Sequence, residues 1–112
     1  MTTADLTVEK SEADVGDMGQ KLLVSGDHIS LRLWEEQPGD GESKPMASRS
    51  YETVGYVIEG KAELTLADKT IALEPGMSWV VPQEAEHAYK ILAPFRAIEA
   101  THPPARGYNS GL

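Results

Sequence analysis

The sequence predicts an all-β domain, a sandwich or barrel of short strands, and three observations carry that prediction. Apolar and polar residues alternate at the period of half-buried strands. Turn signals recur roughly every 8–12 residues, the spacing typical of sandwiches and barrels. No segment sustains the 3.6-residue period of a helix, and ten glycines and seven prolines are spread along 112 residues, more breakers than a helical bundle tolerates.

Taken in order, residues 1–19 are polar and acidic and read as a flexible N-terminal arm. Strands begin near Gln20. Over residues 28–34, Ile29, Leu31 and Leu33 fall on one face, until Pro38, Gly39 and Gly41 stop the run. Residues 53–58 are rich in β-formers and end at Gly60; Ala62, Leu64 and Leu66 then alternate with Lys61, Glu63 and Thr65. A short run through Ile71 and Leu73 reaches Pro75 and Gly76, and further strands are read at 78–81, 86–92 and 95–101. The total is eight or nine strands by alternation. The barrel is assigned to residues 20–104 and a C-terminal tail to 105–112.

The composition excludes several classes. At this length there is one core and one domain, and 40% apolar against 25% charged residues specifies a folded chain. There is no cysteine, hence no disulfide scaffold, thiolate metal site or thiol nucleophile. No signal pattern opens the chain and no apolar run reaches the ~20 residues of a bilayer span, so a cytoplasmic protein without membrane association is expected. A net charge of −8 with no basic stripe repels a phosphate backbone and argues against nucleic-acid binding.

The turns carry a resemblance. The stretch from Gly41 to Leu92 resembles a cupin, whose first motif is G-x5-H-x-H-x3,4-E-x6-G. At the shorter spacing its positions fall on Gly41, Ala47, Arg49, Thr53 and Gly60. The second motif, G-x5-P-x-G-x2-H-x3-N, falls on Gly76, Pro82, Glu84, His87 and Ile91. Fifteen residues separate the two, as in small microbial cupins. The resemblance implies a small single-domain cupin, a double-stranded β-helix or jelly-roll-like barrel.

It also implies a degenerate site. Cupins that hold a metal use two histidines, a glutamate and a third histidine, with donors converging at about 2.0–2.3 Å. Here those positions carry Ala47, Arg49, Thr53 and His87. A guanidinium offers no lone pair, and one histidine makes no site, so no metal or other cofactor is expected. The alternative is a divalent metal held by His87 with Glu52, one position before the expected carboxylate, swung inward by a bulge, with His28 or His102 approaching from other strands. Alternation otherwise sends Glu52 to the face opposite Arg49, Tyr51 and Thr53.

The same alternation puts Arg49, Tyr51, Thr53, Gly55 and Val57 on the interior face, with His87 and Tyr89 on a facing strand. A buried arginine must meet an anion: an internal carboxylate such as Glu99 or Glu52, or a ligand. The expected function is therefore a small-molecule-binding cupin that holds a carboxylate- or sugar-like ligand in the barrel. Arg49 would clamp the anion, His87 and Tyr51 would orient it, and Thr53 and Tyr89 would add hydroxyls. The alternative is an enzyme: an isomerase or lyase with His87 as catalytic proton shuttle, or a metal-dependent oxygenase or isomerase with a rearranged site. Each residue also has a plainer role, Arg49 as a structural ion pair, His87 as a core histidine, and Tyr51, Tyr89, Trp34 and Trp79 as packing. A third possibility is a dimerising scaffold without a ligand. By analogy with cupins that pair through edge strands, a homodimer is expected.

Overall fold

The computed structural model describes residues 6–16, 18–39 and 45–105. Its strands are β1 (Asp14–Val15), β2 (Lys21–Ser25), β3 (Ser30–Glu36), β4 (Glu52–Leu66), β5 (Lys69–Leu73), β6 (Ser78–Val81) and β7 (His87–His102). All pair antiparallel, in the order β1-β2-β3-β7-β4-β5, with β6 also on β4. Among the described residues Lys10–Glu12 forms a 3-10 turn, and no helix is long and apolar enough to cross a membrane.

Among the described residues seven strands stand where eight or nine were expected: two pairs of runs merge, and β1 lies within the stretch read as the N-terminal arm. The runs at 53–58 and 62–66 are one strand, β4, and those at 86–92 and 95–101 are one strand, β7. The two lie side by side along nearly their whole length, with register shifts between Val57 and Ala62. Gly60 permits the irregular step: its φ is 88°, and a Cβ there would overlap the Pro94 carbonyl and lie 2.7 Å from Phe95 Cα. Pro94 occupies the same step in β7, where a missing N–H does least harm to the ladder. Beyond the step β4 changes partner, from β6 in its first half to β5 in its second. The two halves thus serve two layers around one core.

That core is Trp34, Val57, Ala62, Leu64, Leu73, Trp79, Val81, Tyr89, Ile91, Phe95 and Ala97. Trp34, fully buried, meets Tyr89, Phe95 and Trp79 edge-on at centroid distances of 4.7, 4.9 and 6.5 Å. Such contacts add ~0.5–1.5 kcal/mol each beyond burial. Gly55 is required by the same packing, since a Cβ there would overlap the Trp79 indole.

The parity of β3 runs against the simplest reading of its sequence. Ser30, Arg32 and Trp34 face the interior and are buried, whereas Ile29 and Leu31 belong to the opposite, outer side, Ile29 being exposed and Leu31 half-buried. Alternation supplies two candidate faces one residue apart. The aromatic anchor at Trp34 decides between them.

Among the described residues two that are not glycine have left-handed backbones: Ala67, φ 57°, in the β4–β5 turn, and Glu84, φ 66°. Glu84 stands where the second motif carries glycine, and a side chain at such φ costs about 1 kcal/mol. Glu84→Gly is expected to raise stability by up to about 0.5 kcal/mol once the added unfolded-state entropy of glycine is subtracted from the relieved strain. Urea denaturation would show a higher midpoint at unchanged slope; a lower midpoint would contradict the strain.

Candidate functional site

Cross-strand pairing arranges the inner face of the β3-β7-β4-β6 layer in three rows. Ser30, Thr101, Thr53 and Val81 form the first, Arg32, Glu99, Gly55 and Trp79 the second, and Trp34, Ala97 and Val57 the third. The interior therefore grades from hydroxyls, through an ion pair, to apolar packing. In the first row the Ser30 and Thr101 hydroxyls are 2.7 Å apart, and Thr101 Oγ1 accepts from the Ala105 N–H at 2.9 Å. In the second, Arg32 Nε donates to Glu99 Oε1 at 2.8 Å, with both side chains at most 3% exposed. The Arg32 guanidinium also lies 5.4 Å from the Tyr51 ring centroid.

Burial by itself would lower the Arg32 pKa, but the charge of Glu99 and the contact with Tyr51 outweigh it and the net direction is upward. The guanidinium thus remains charged in the interior. Burial, followed by the charge of Glu99, pushes the Tyr89 phenol well above its ordinary value of 10.0. Tyr89 Oη accepts from Trp79 Nε1 at 3.1 Å, which leaves its own proton to donate.

The two motif segments meet through their backbones. Ala47 and His87 exchange N–H···O bonds, both 2.8 Å. The Glu84 N–H donates to the Arg49 carbonyl at 2.8 Å and Gln83 Nε2 to the Ser50 carbonyl at 2.7 Å. Segment 47–50 is thereby stitched to segment 83–87. His87 is buried, and its Nδ1 lies 3.0 Å from the Ala85 carbonyl. A carbonyl only accepts, so Nδ1 carries the proton and the neutral ring has its lone pair on Nε2. The His87 and Tyr89 rings stand edge-on at 5.5 Å.

These segments border a cleft of about 270 Å³ lined by Met18, Pro45, Met46, Ala47, Arg49, His87, Ala88 and Tyr89. Arg49, His87 and Tyr89 of the sequence-derived set are thus brought together. Tyr51 and Thr53 are buried deeper, beside Arg32 and Thr101. Glu52 is exposed on the outer side, paired across the strands with His102, and does not reach the cleft. The guanidinium buried in the barrel is Arg32, half-buried Arg49 instead lining the cleft. Glu99, one of the two internal carboxylates considered for Arg49, pairs with Arg32. Arg32 was missed because the apolar pattern around it favours the other parity; its spacing of two from Trp34 was the available signal.

The Cupin_2 family model, described as a cupin domain, matches residues 32–100. The chain is a cupin. Among curated proteins no sequence matches it. Solved structures share the fold at low identity. An RmlC-like cupin from Shewanella frigidimarina has a TM-score of 0.75 at 16% identity, over 88% of this chain and 91% of its own. KdgF from Halomonas sp. has a TM-score of 0.73 at 20% identity, over 86% and 93%. The Cnp3 cupin domain of Schizosaccharomyces pombe has 0.71 at 13%, over 88% and 74%. At these identities the likeness speaks for the cupin barrel alone.

The motif positions of this cupin lack the donor set of a metal site. Ala47, Arg49, Thr53 and His87 supply one imidazole beside a permanent cation, and among the described residues no group of three or more His, Cys, Asp or Glu is placed to hold one.

Two outcomes follow from the buried pair and the phenol. Arg32→Met or Glu99→Leu alone leaves a charge buried without its counter-ion and should cost ~3–5 kcal/mol, while the double variant recovers most of it; a urea double-mutant cycle reads the coupling. For Tyr89 the raised folded pKa means that the native state retains a proton the unfolded chain releases. Its contribution is complete below pH about 10.0 and falls as pH rises further. Stability should therefore decline from about pH 10 upward, and less steeply in Tyr89→Phe.

Proposed function

We propose that this cupin is a small-molecule-binding protein that takes a compact organic anion, a carboxylate or a hydroxyl-rich acid, in the cleft between Arg49 and His87, without a metal. One observation carries the reading: a guanidinium, an imidazole and a phenol border one cleft, and no carboxylate does so among the described residues. The guanidinium matches a carboxylate bidentately, the Tyr89 ring walls the cleft beside His87, and Met18, Pro45 and Met46 give it an apolar side. A volume near 270 Å³ lies just below the usual ~300–1,000 Å³ of ligand pockets, which favours a small acid over an oligosaccharide or nucleotide. Tyr51 and Thr53 support the cleft from beneath on this reading.

An isomerase or lyase is the second reading, favoured by the fixed tautomer of His87. A Nδ1 anchored on the Ala85 carbonyl leaves Nε2 as the ring atom able to take and return a proton.

A panel of small carboxylates and sugar acids screened by thermal shift tests the binding reading. At a ligand concentration of about 100 Kd, stabilisation should reach about 2.7 kcal/mol, abolished in Arg49→Ala, reduced in His87→Gln and unchanged in Glu52→Ala. Equal stabilisation of wild type and Arg49→Ala would remove the clamp. Exchange of a substrate C–H proton with deuterated water, lost in His87→Gln, would favour the enzyme.

A further inference from the structure

The cleft beside His87 is poor in groups that could meet a hydroxyl-bearing ligand. Its main chain is largely engaged: Ala47 and His87 satisfy each other's N–H and carbonyl, and the Arg49 carbonyl accepts from Glu84. His87 Nδ1 is held by the Ala85 carbonyl. Tyr89 presents its ring, while its oxygen accepts from Trp79 Nε1 at 3.1 Å. Among the described residues no Ser, Thr, Asn or Gln lines the cleft, and the rest of the wall is Met18, Pro45, Met46, Ala47 and Ala88. Met18 and Met46 are each 45% exposed. A single exposed methionine is ordinary. Two on one cleft, with a proline beside them, form a continuous apolar wall that stays in water until an apolar group covers it.

We propose that the acid taken by this cleft is a monocarboxylate with an apolar body the size of one aromatic ring, and that Met18 and Met46 select it. The inference rests on the anion site read above and narrows it, setting the hydroxyl-rich acids aside. Each hydroxyl of a sugar acid gives up its water on entry and here would meet methyl, methylene and thioether groups, which weakens binding. An aryl body gains from the same burial, and thioether sulfurs make favourable contacts with ring edges. The size agrees. An engineered apolar cavity of about 150 Å³ holds benzene, and the 270 Å³ here leaves room for a carboxylate on a short arm. The charge agrees as well. Arg49 is the single Lys or Arg on the cleft among the described residues, so in a chain of net charge −8 a second carboxylate would find no second cation.

Isothermal titration calorimetry of the full chain with phenylacetate and with gluconate tests the proposal. Phenylacetate should bind at least tenfold more tightly, with a negative heat-capacity change that gluconate lacks. Met18→Gln and Met46→Gln, each made alone, should cut that preference by roughly threefold to tenfold, and Arg49→Ala should abolish binding of both acids. Unchanged near-ultraviolet circular dichroism of Trp34 and Trp79 shows an intact core; if one methionine variant fails to fold, the other carries the test. Gluconate bound as tightly as phenylacetate, and lost in Arg49→Ala, would overturn the apolar-body inference and leave the anion site standing. Binding of neither acid, or equal binding in Arg49→Ala, would overturn the anion site and this inference with it. A preference that both methionine variants leave intact would overturn the selection by Met18 and Met46.

Discussion

The ion pair between Arg32 and Glu99 constrains the rest of the barrel. A guanidinium removed from water needs a carboxylate within hydrogen-bonding reach, and β3 and β7 supply one by placing the two residues directly opposite each other. A slip of one residue in β3 would turn Arg32 outward and leave Glu99 buried without its cation, which costs more than most single defects. The pair therefore acts as a register pin. With it in place, Trp34 must enter the aromatic cluster, Ser30 must meet Thr101, and Leu31 must face away from the core. Replacing both members with apolar residues keeps stability but removes this discrimination between registers.

The second constraint is steric. β4 and β7 run side by side through an irregular step where the Pro94 carbonyl and the Phe95 backbone leave no room for a Cβ on Gly60. The step lets a single strand pair serve both layers, so β4 and β7 contribute to the buried polar rows and to the apolar core alike. The cleft lies where β7 begins, next to the segment that precedes β4.

Much of this was legible in the sequence, for reasons that differ by residue. Gly60 and Gly76 hold left-handed backbones that few other residues adopt, one at the step in β4 and one in the β5–β6 turn, and Pro82 precedes the next turn, so their spacing pointed to the barrel. The inward parity of Tyr51, Thr53 and Val57, and of His87 with Tyr89, followed from alternation once the motif positions were aligned. The merging of short runs into β4 and β7 was not legible, because a glycine that breaks a strand and a glycine that lets it continue through a bulge look alike locally. Arg32 was hidden by its flanking leucines: when both faces of a strand are apolar, hydrophobic period cannot choose the inner one.

The doublet that joins Ala47 to His87 is made by main-chain atoms alone. The location of the cleft is consequently indifferent to which side chains the chain presents at positions 47, 49 and 53. Chemistry at the mouth is an exchangeable fitting on a fixed frame, so substitutions at positions 47 and 49 change the groups that line the cleft without disturbing the main-chain pairing that frames it.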